Sequence, residues 1–241
     1  IESWAYMTRH VIWSYYSLDR FQLSEELLYK NIKLAREISD PSMEIYFQTH
    51  LARLYTLVEA PEKASQALHR ATALAASIPR DEFLETGLHY KIMEERIRLK
   101  LKQGELQDAM HLFEGAVDKY KSDGIDIPPR IVYQVSSKLA EESINQEMLI
   151  QASRYHRLAR EAWLQRSNEE EEAWLFLLLQ EIRLLIAQNR YPEAAESSDR
   201  LIRRYLHDWK GAGQTAIRED QPVNLILLQA LCLQAKAHFK I

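Results

Sequence analysis

Five short turns recur along the chain at nearly constant intervals, and this recurrence limits the fold more than any other feature. They lie at Asp19-Arg20, Glu59-Ala60, Gly104-Glu105, near Glu147 and at Asn189-Arg190, with successive spacings of 40, 45, 43 and 42 residues. Five residues after each turn stands a small residue: Ser24, Ala64, Ala109, Ala152 and Ala194. Seven further on lie Asn31, Ala71, Ala116, Ala159 and Leu201, and four beyond those Ala35, Ala75, Tyr120, Trp163 and Tyr205. Small side chains at helical spacing let two helices approach closely, and the larger residue a turn later fills the widening gap. The implied unit is a helix–turn–helix of about 42 residues, repeated five times, with a sixth first helix from Pro222 to Ile241. A five-hairpin bundle without true repeats is the alternative.

Proline marks the same units. Pro41, Pro61, Pro79, Pro128, Pro129, Pro192 and Pro222 all fall between apolar-periodic segments, as a residue tolerated in the first helical turn and disfavoured in the interior should. No alternating apolar run is flanked by a hairpin turn. The expected fold class is all-α: a right-handed superhelix, or solenoid, of antiparallel helix pairs forming a single repeat domain over residues 1–241. Pairs are expected at 3–18 with 21–38, 42–58 with 61–77, 81–103 with 105–122, 129–145 with 148–166 and 169–189 with 191–208. The composition agrees: 46% hydrophobic and 27% charged residues supply a core and a solvated surface, and only 6 Gly and 7 Pro argue against disorder or a turn-rich β protein. A formal net charge of -4 argues against a wholly basic nucleic-acid-binding domain. The single Cys232 cannot form an internal disulfide, which favours a reducing, cytoplasmic location, and no apolar run is long enough to span a membrane. The chain begins at Ile1, which points to a fragment of a longer polypeptide or a processed chain.

The residues also carry a resemblance. Gly104-Glu105-Leu106-Gln107-Asp108-Ala109 and Asn189-Arg190-Tyr191-Pro192-Glu193-Ala194-Ala195 resemble the inter-helix turn of tetratricopeptide repeats, though the unit exceeds the usual ~34 residues. Arg183 to Arg190, then Glu193-Ala194-Ala195, then Leu225 to Leu231 followed by Gln234-Ala235, are similar to the repeat region of MalT-like activators, the large ATP-binding regulators of the LuxR type. The resemblance implies a superhelical array that senses an inducer, between an ATPase and a DNA-binding module. This chain has neither the Gly-x-x-x-x-Gly-Lys-Ser/Thr of the former nor a recognisable form of the latter, so those two activities do not carry over.

No catalytic or metal motif stands out. The eight His residues are dispersed, with no zinc-ligand spacing. Lys210-Gly211-Ala212-Gly213-Gln214-Thr215 lacks the Lys-Ser/Thr of a phosphate loop and reads as an inter-helix loop. Glu169 to Glu172 after Ser167-Asn168 read as a solvated helix start. One constellation is more specific. Six residues before each turn stand Trp13, Arg53, Arg98, Glu141 and Arg183; nine before, His10, His50, Glu95, Lys138 and Gln180; thirteen before, Tyr6, Tyr46, Lys91, Gln134 and Phe176. These offsets share one helix face. The residues three and seven before each turn, among them Tyr16, Ile12, Ala52, Ile97, Ala140 and Ile182, are mostly apolar and define a separate core face. If the first helices line a concave surface, the polar-aromatic face forms a ladder suited to carboxylate or phosphate groups.

The candidate binding residues are therefore Tyr6, His10, Trp13, Tyr46, His50, Arg53, Lys91, Glu95, Arg98, Phe176, Gln180 and Arg183. Ordinary intrahelical ion pairing among Lys91, Glu95, Arg98 and Lys102 is the competing explanation. On the ladder reading Arg53, Arg98 and Arg183 stay partly exposed, unpaired with acids of their own helices, and Arg98→Ala leaves stability nearly unchanged. The functional expectation is a non-enzymatic, cofactor-free and metal-free recognition or sensor module of a larger bacterial transcription regulator, acting in signal transduction. Its partner is expected to be a protein, a peptide or a small anionic effector, without direct nucleic-acid or membrane binding, and the apolar C-terminal helix is expected to be covered by further repeats of a parent protein or by self-association. The alternatives are a general protein–protein interaction scaffold without a small-molecule ligand, and an enzyme using Glu94, Glu95 or His89 as acid or base.

Overall fold

The computed structural model describes residues 10–12, 14–16, 18–165 and 171–211. Tyr6, Trp13, Cys232 and the helix expected from Pro222 lie outside these described residues. Each of the five turns is built alike. Asp19, Glu59, Gly104, Glu147 and Asn189 take left-handed φ values of 54, 57, 76, 59 and 60°. The amide of the next residue then reaches back to close the preceding helix: Arg20 to the Tyr15 carbonyl at 2.8 Å, Ala60 to Tyr55 at 2.8 Å, Glu105 to Lys100 at 2.9 Å, Met148 to Ser143 at 2.8 Å and Arg190 to Leu185 at 2.9 Å. This satisfies helix-end carbonyls that would otherwise lack donors. The same residue opens the following helix by accepting from the small residue four positions on, as Ala109 N does to Glu105 O at 3.1 Å and Ala152 N to Met148 O at 2.9 Å.

Between these turns run ten helices with defined bounds: α1 (Phe21–Glu37), α2 (Pro41–Leu57), α3 (Pro61–Ala75), α4 (Arg80–Glu85), α5 (Leu88–Lys102), α6 (Leu106–Ser122), α7 (Pro129–Asn145), α8 (Leu149–Leu164), α9 (Glu171–Ala187) and α10 (Tyr191–Gly211). Residues 10–12 and 14–16 are helical ahead of them, and no strand occurs among the described residues. Pro41, Pro61 and Pro129 open their helices, and the Asp40 carboxylate caps α2 by accepting from Met43 N at 2.9 Å. Two details depart from expectation. The helix expected over 81–103 is two helices, because Gly87 takes a φ of 65° and ends α4, while Thr86 Oγ1 accepts from Leu88 N at 3.2 Å and starts α5. Apolar periodicity runs through one left-handed residue without registering it. Lys210 and Gly211, expected in a loop, are the last residues of α10.

The chain divides into two compact units, Ile1–Ile125 and Asp126–Ile241. In the first, α2 packs on α1, α3 and α5, while α5 also packs on α3, α4 and α6. In the second, α7 packs on α8 and α9, and α9 packs on α8 and α10. Each unit thus repeats one rule: a first helix touches its own hairpin partner, the second helix before it, and the neighbouring first helix. The small residues after the turns make the close approaches, and Ser24, Ala64, Ala109, Ala152 and Ala194 are all fully buried. Ile12, Ala52, Ile97, Ala140 and Ile182, seven before each turn, are buried as well. Burying an isoleucine there contributes about 1.5–3 kcal/mol. The later register positions are less uniform, with Ala71 and Ala159 buried and Ala75, Ala116 and Tyr120 half-buried. No helix among the described residues is long and apolar enough to cross a membrane.

Candidate functional site

In the first unit, packing of α2 on α5 brings the expected residues together. Arg53 lies one turn from the end of α2, where Ala52 is committed to the core and turns its neighbour to the edge of the helix contact. Its Nη1 stands 3.9 Å from Glu95 Oε1 on α5. Arg98 sits three residues beyond Glu95, with Nε 3.0 Å from Glu95 Oε2, an ion contact whose angle is not that of a hydrogen bond. Arg98 Nη2 donates to Glu94 Oε1 at 2.6 Å. The cluster is mostly closed to water: Glu95 is 7% exposed, Arg98 16% and Arg53 21%. Burial lowers the Arg53 pKa, the Arg98 charge lowers it further, and Glu95, Glu94 and Tyr16 oppose the shift.

A second set adjoins along the same helices. Lys91 Nζ lies 4.3 Å from the Tyr46 ring centre, a cation–π contact, and the Tyr46 and His50 rings meet edge-on at 4.6 Å. His50 is buried and its carbonyl accepts from Tyr16 Oη at 3.1 Å. Burial drives the Tyr16 phenol above its ordinary pKa, and the Arg53 charge partly offsets this. His10 is exposed on the helical stretch ahead of α1. Lys102, grouped with the charged face by spacing, reaches Glu59 Oε1 at 3.1 Å in the turn of the preceding hairpin.

In the second unit the corresponding positions lie between α7 and α9. Gln180 is buried, and its Nε2 donates to the Ser137 carbonyl at 2.8 Å. Arg183 Nη2 donates to Asn145 Oδ1 at 2.7 Å, and its Nη1 is 3.5 Å from Glu141 Oε1. Phe176 is half-buried.

Arg98 corrects the expectation that the three arginines avoid acids on their own helices. Glu94 is four residues before it and Glu95 three, so helical geometry presents both carboxylates to one guanidinium. Arg98 is also less exposed than the ladder reading assumed, with 16% of its side chain accessible. Arg53 and Arg183 pair across the seam between neighbouring first helices, Arg53 with Glu95 and Arg183 with Glu141. The position nine before the turn is buried in this seam at His50, Glu95 and Gln180. Sequence reasoning gave Tyr16 only to the core and did not place Glu94 in the cluster. The four-residue step from Glu94 to Arg98 was the available signal for the latter, whereas the bonding of Tyr16 to His50 depends on packing between separate helices. His89, an alternative acid or base, lies among the rings of Phe83, Tyr90 and Tyr120 at 5.9, 3.8 and 5.2 Å. No group of His, Cys, Asp and Glu able to hold a metal ion occurs among the described residues.

Against known proteins, no family model matches this chain, and no curated protein matches it.

Proposed function

We propose that this chain is a non-enzymatic recognition segment of a larger bacterial transcription regulator, binding a carboxylate-bearing protein, peptide or small effector on the face formed by its first helices. The observation that carries the reading is the charge of the α2–α5 cluster. The guanidiniums of Arg53 and Arg98 and the ammonium of Lys91 gather along these two helices, beside Glu94 and Glu95. Guanidinium groups bind a carboxylate bidentately, so a ligand carboxylate is the complementary group. Tyr46, beside Lys91, adds aromatic contact area. The regulator context rests on the resemblance of the turn and C-terminal motifs to MalT-like activators, an analogy of architecture. The same reading takes the hairpins as successive steps of a right-handed superhelix in one repeat domain, which the scattering profile of the protein tests.

The binding claim is tested with fluorescent peptides ending in Asp or Glu, their amidated and neutral counterparts, and small dicarboxylates. Acidic ligands should bind, and Arg53→Gln and Lys91→Gln should each weaken them about tenfold. Equal affinity for neutral peptides, or affinity indifferent to both substitutions, overturns the claim. A specific observation favours a second reading, a protein–protein scaffold without a small-molecule ligand: Arg98 and Gln180 already spend polar groups on their own seams. On that reading small dicarboxylates do not bind at all.

A further inference from the structure

The second helices of the first unit enclose a cleft that the first-helix face does not explain. It lies between α1 and α3 over α2, has a volume of about 1240 Å³, and is lined by Lys33, Arg36, Lys63 and Arg70, with no carboxylate among its lining residues. Beneath it Glu44 of α2 is buried. Arg36 Nε from one wall and Arg70 Nε from the other both donate to the same oxygen, Glu44 Oε1, each at 2.9 Å. Burial alone would raise the Glu44 pKa, but the hydrogen bonds and charges of the two guanidiniums hold it below the ordinary carboxylate value. Glu44 is thus a fixed anion that aligns two cations from separate helices on one point.

We propose that this cleft binds a small organic phosphomonoester, its phosphate held by Arg36 and Arg70. The guanidiniums keep donors for it. Arg70 spends only Nε on Glu44, and its two Nη groups make no hydrogen bond among the described residues. Arg36 commits Nε and Nη2 to that oxygen and keeps Nη1. Their side chains are 45% and 53% exposed, so a ligand reaches them. Charge selects the phosphate. Four lining cations against Glu44 leave a positive surplus, reduced where Lys33 meets the exposed Glu37 at 3.8 Å and where Glu25 accepts from Tyr55 beside Lys63. Two convergent guanidiniums in a net positive cleft suit a phosphate dianion better than a single carboxylate, because each fork fits phosphate oxygens bidentately. Lys63 stands 5.2 Å from the Tyr55 ring centre, on the side where Tyr55 Oη donates to Glu25 at 2.6 Å and bonds Tyr29 Oη at 2.8 Å. Size selects an organic ester over inorganic phosphate: the cleft is at least as large as sites that enclose whole small ligands. Leu51, Leu74 and Ala67 provide an apolar surface for the organic part.

Titration calorimetry with glucose 6-phosphate as the probe, and glucose, inorganic phosphate and a phosphoserine peptide as comparisons, tests the assignment. Glucose 6-phosphate should bind more tightly than inorganic phosphate, glucose should not bind, and affinity should fall with added salt. Arg70→Gln should weaken binding about tenfold or more, and Lys63→Gln about threefold to tenfold, while Lys121→Gln on α6 leaves it unchanged. Lys63 does not touch Glu44, so its variant still decides the matter if Arg70→Gln perturbs folding. No binding of glucose 6-phosphate at about 10 mM, a site that prefers inorganic phosphate or only the phosphopeptide, or equal affinity in Lys63→Gln and the parent protein overturns the proposal.

Discussion

Glu95 in the first unit and Gln180 in the second occupy the same place, nine residues before a turn and in the seam between two first helices. They solve its burial differently. Glu95 carries its charge into the seam and is held by Arg98 from its own helix and Arg53 from the neighbouring one. Gln180 is neutral and satisfies its amide on the Ser137 carbonyl. The arginine six before the turn differs accordingly: Arg98 is 16% exposed, while Arg183 is 32% exposed against a Glu141 that is 39% exposed. A buried charge makes its partner indispensable, because an unpaired ion inside a protein has no solvation to replace the lost contact, whereas a water-accessible pair is readily replaced by solvent. One register position therefore carries high stakes in one unit and low stakes in the other.

The largest expected effect tests that contrast directly. Arg98→Ala should cost about 3 kcal/mol, since it removes the nearest cation from two largely buried carboxylates, Glu95 and Glu94. Arg183→Ala should cost about 0–1 kcal/mol. Urea unfolding of the two variants reads the difference, and equal losses would erase the distinction. Next come two substitutions for which the units should agree. Ala109 and Ala152 are both fully buried after their turns, so replacement by Leu should overpack either contact by about 1–3 kcal/mol. A response within about 0.5 kcal/mol at one of them would mean that the hairpin register does not hold in that unit.

The turns provide a smaller comparison. Glu147 holds a left-handed φ of 59° with a side chain, where Gly104 holds 76° without one. Glu147→Gly should stabilise the second unit by about 1 kcal/mol and Gly104→Ala should destabilise the first by a similar amount, as thermal melts would show. The smallest effect is on pH. Burial lowers the pKa of His89 in the first unit, with a Phe83 backbone contact opposing. Burial lowers that of His156 in the second, aided by Arg160 and opposed by Glu181 and Gln180. The folded state therefore favours neutral imidazole, and just below about pH 6.5 the unfolded chain binds more protons. This contribution is complete above that pH and is lost as pH falls through it toward the lowered folded values. Melting temperatures between pH 7.5 and 5 should decline, and His156→Gln should flatten the slope.

The sequence by itself determined the helical class, the five turns and the core face. Those properties are local: a left-handed residue closes one helix and opens the next within six residues, and apolar spacing along a single helix dictates which side is buried. The all-buried set from Ser24 to Ala194 was legible for that reason. The candidate site was legible only as a list of residues on one face. Spacing showed that Arg98 and Glu95 share a face, but not that Arg53 comes from the next hairpin to meet Glu95, nor that Gln180 turns to Ser137. Only the tertiary structure decided those pairs, because the distance between helices depends on side chains far apart in the chain. The α1–α3 cleft is the clearest case. Arg36, Glu44 and Arg70 belong to three helices and carry no common motif, and their convergence on one oxygen exists only once α1 and α3 both rest on α2.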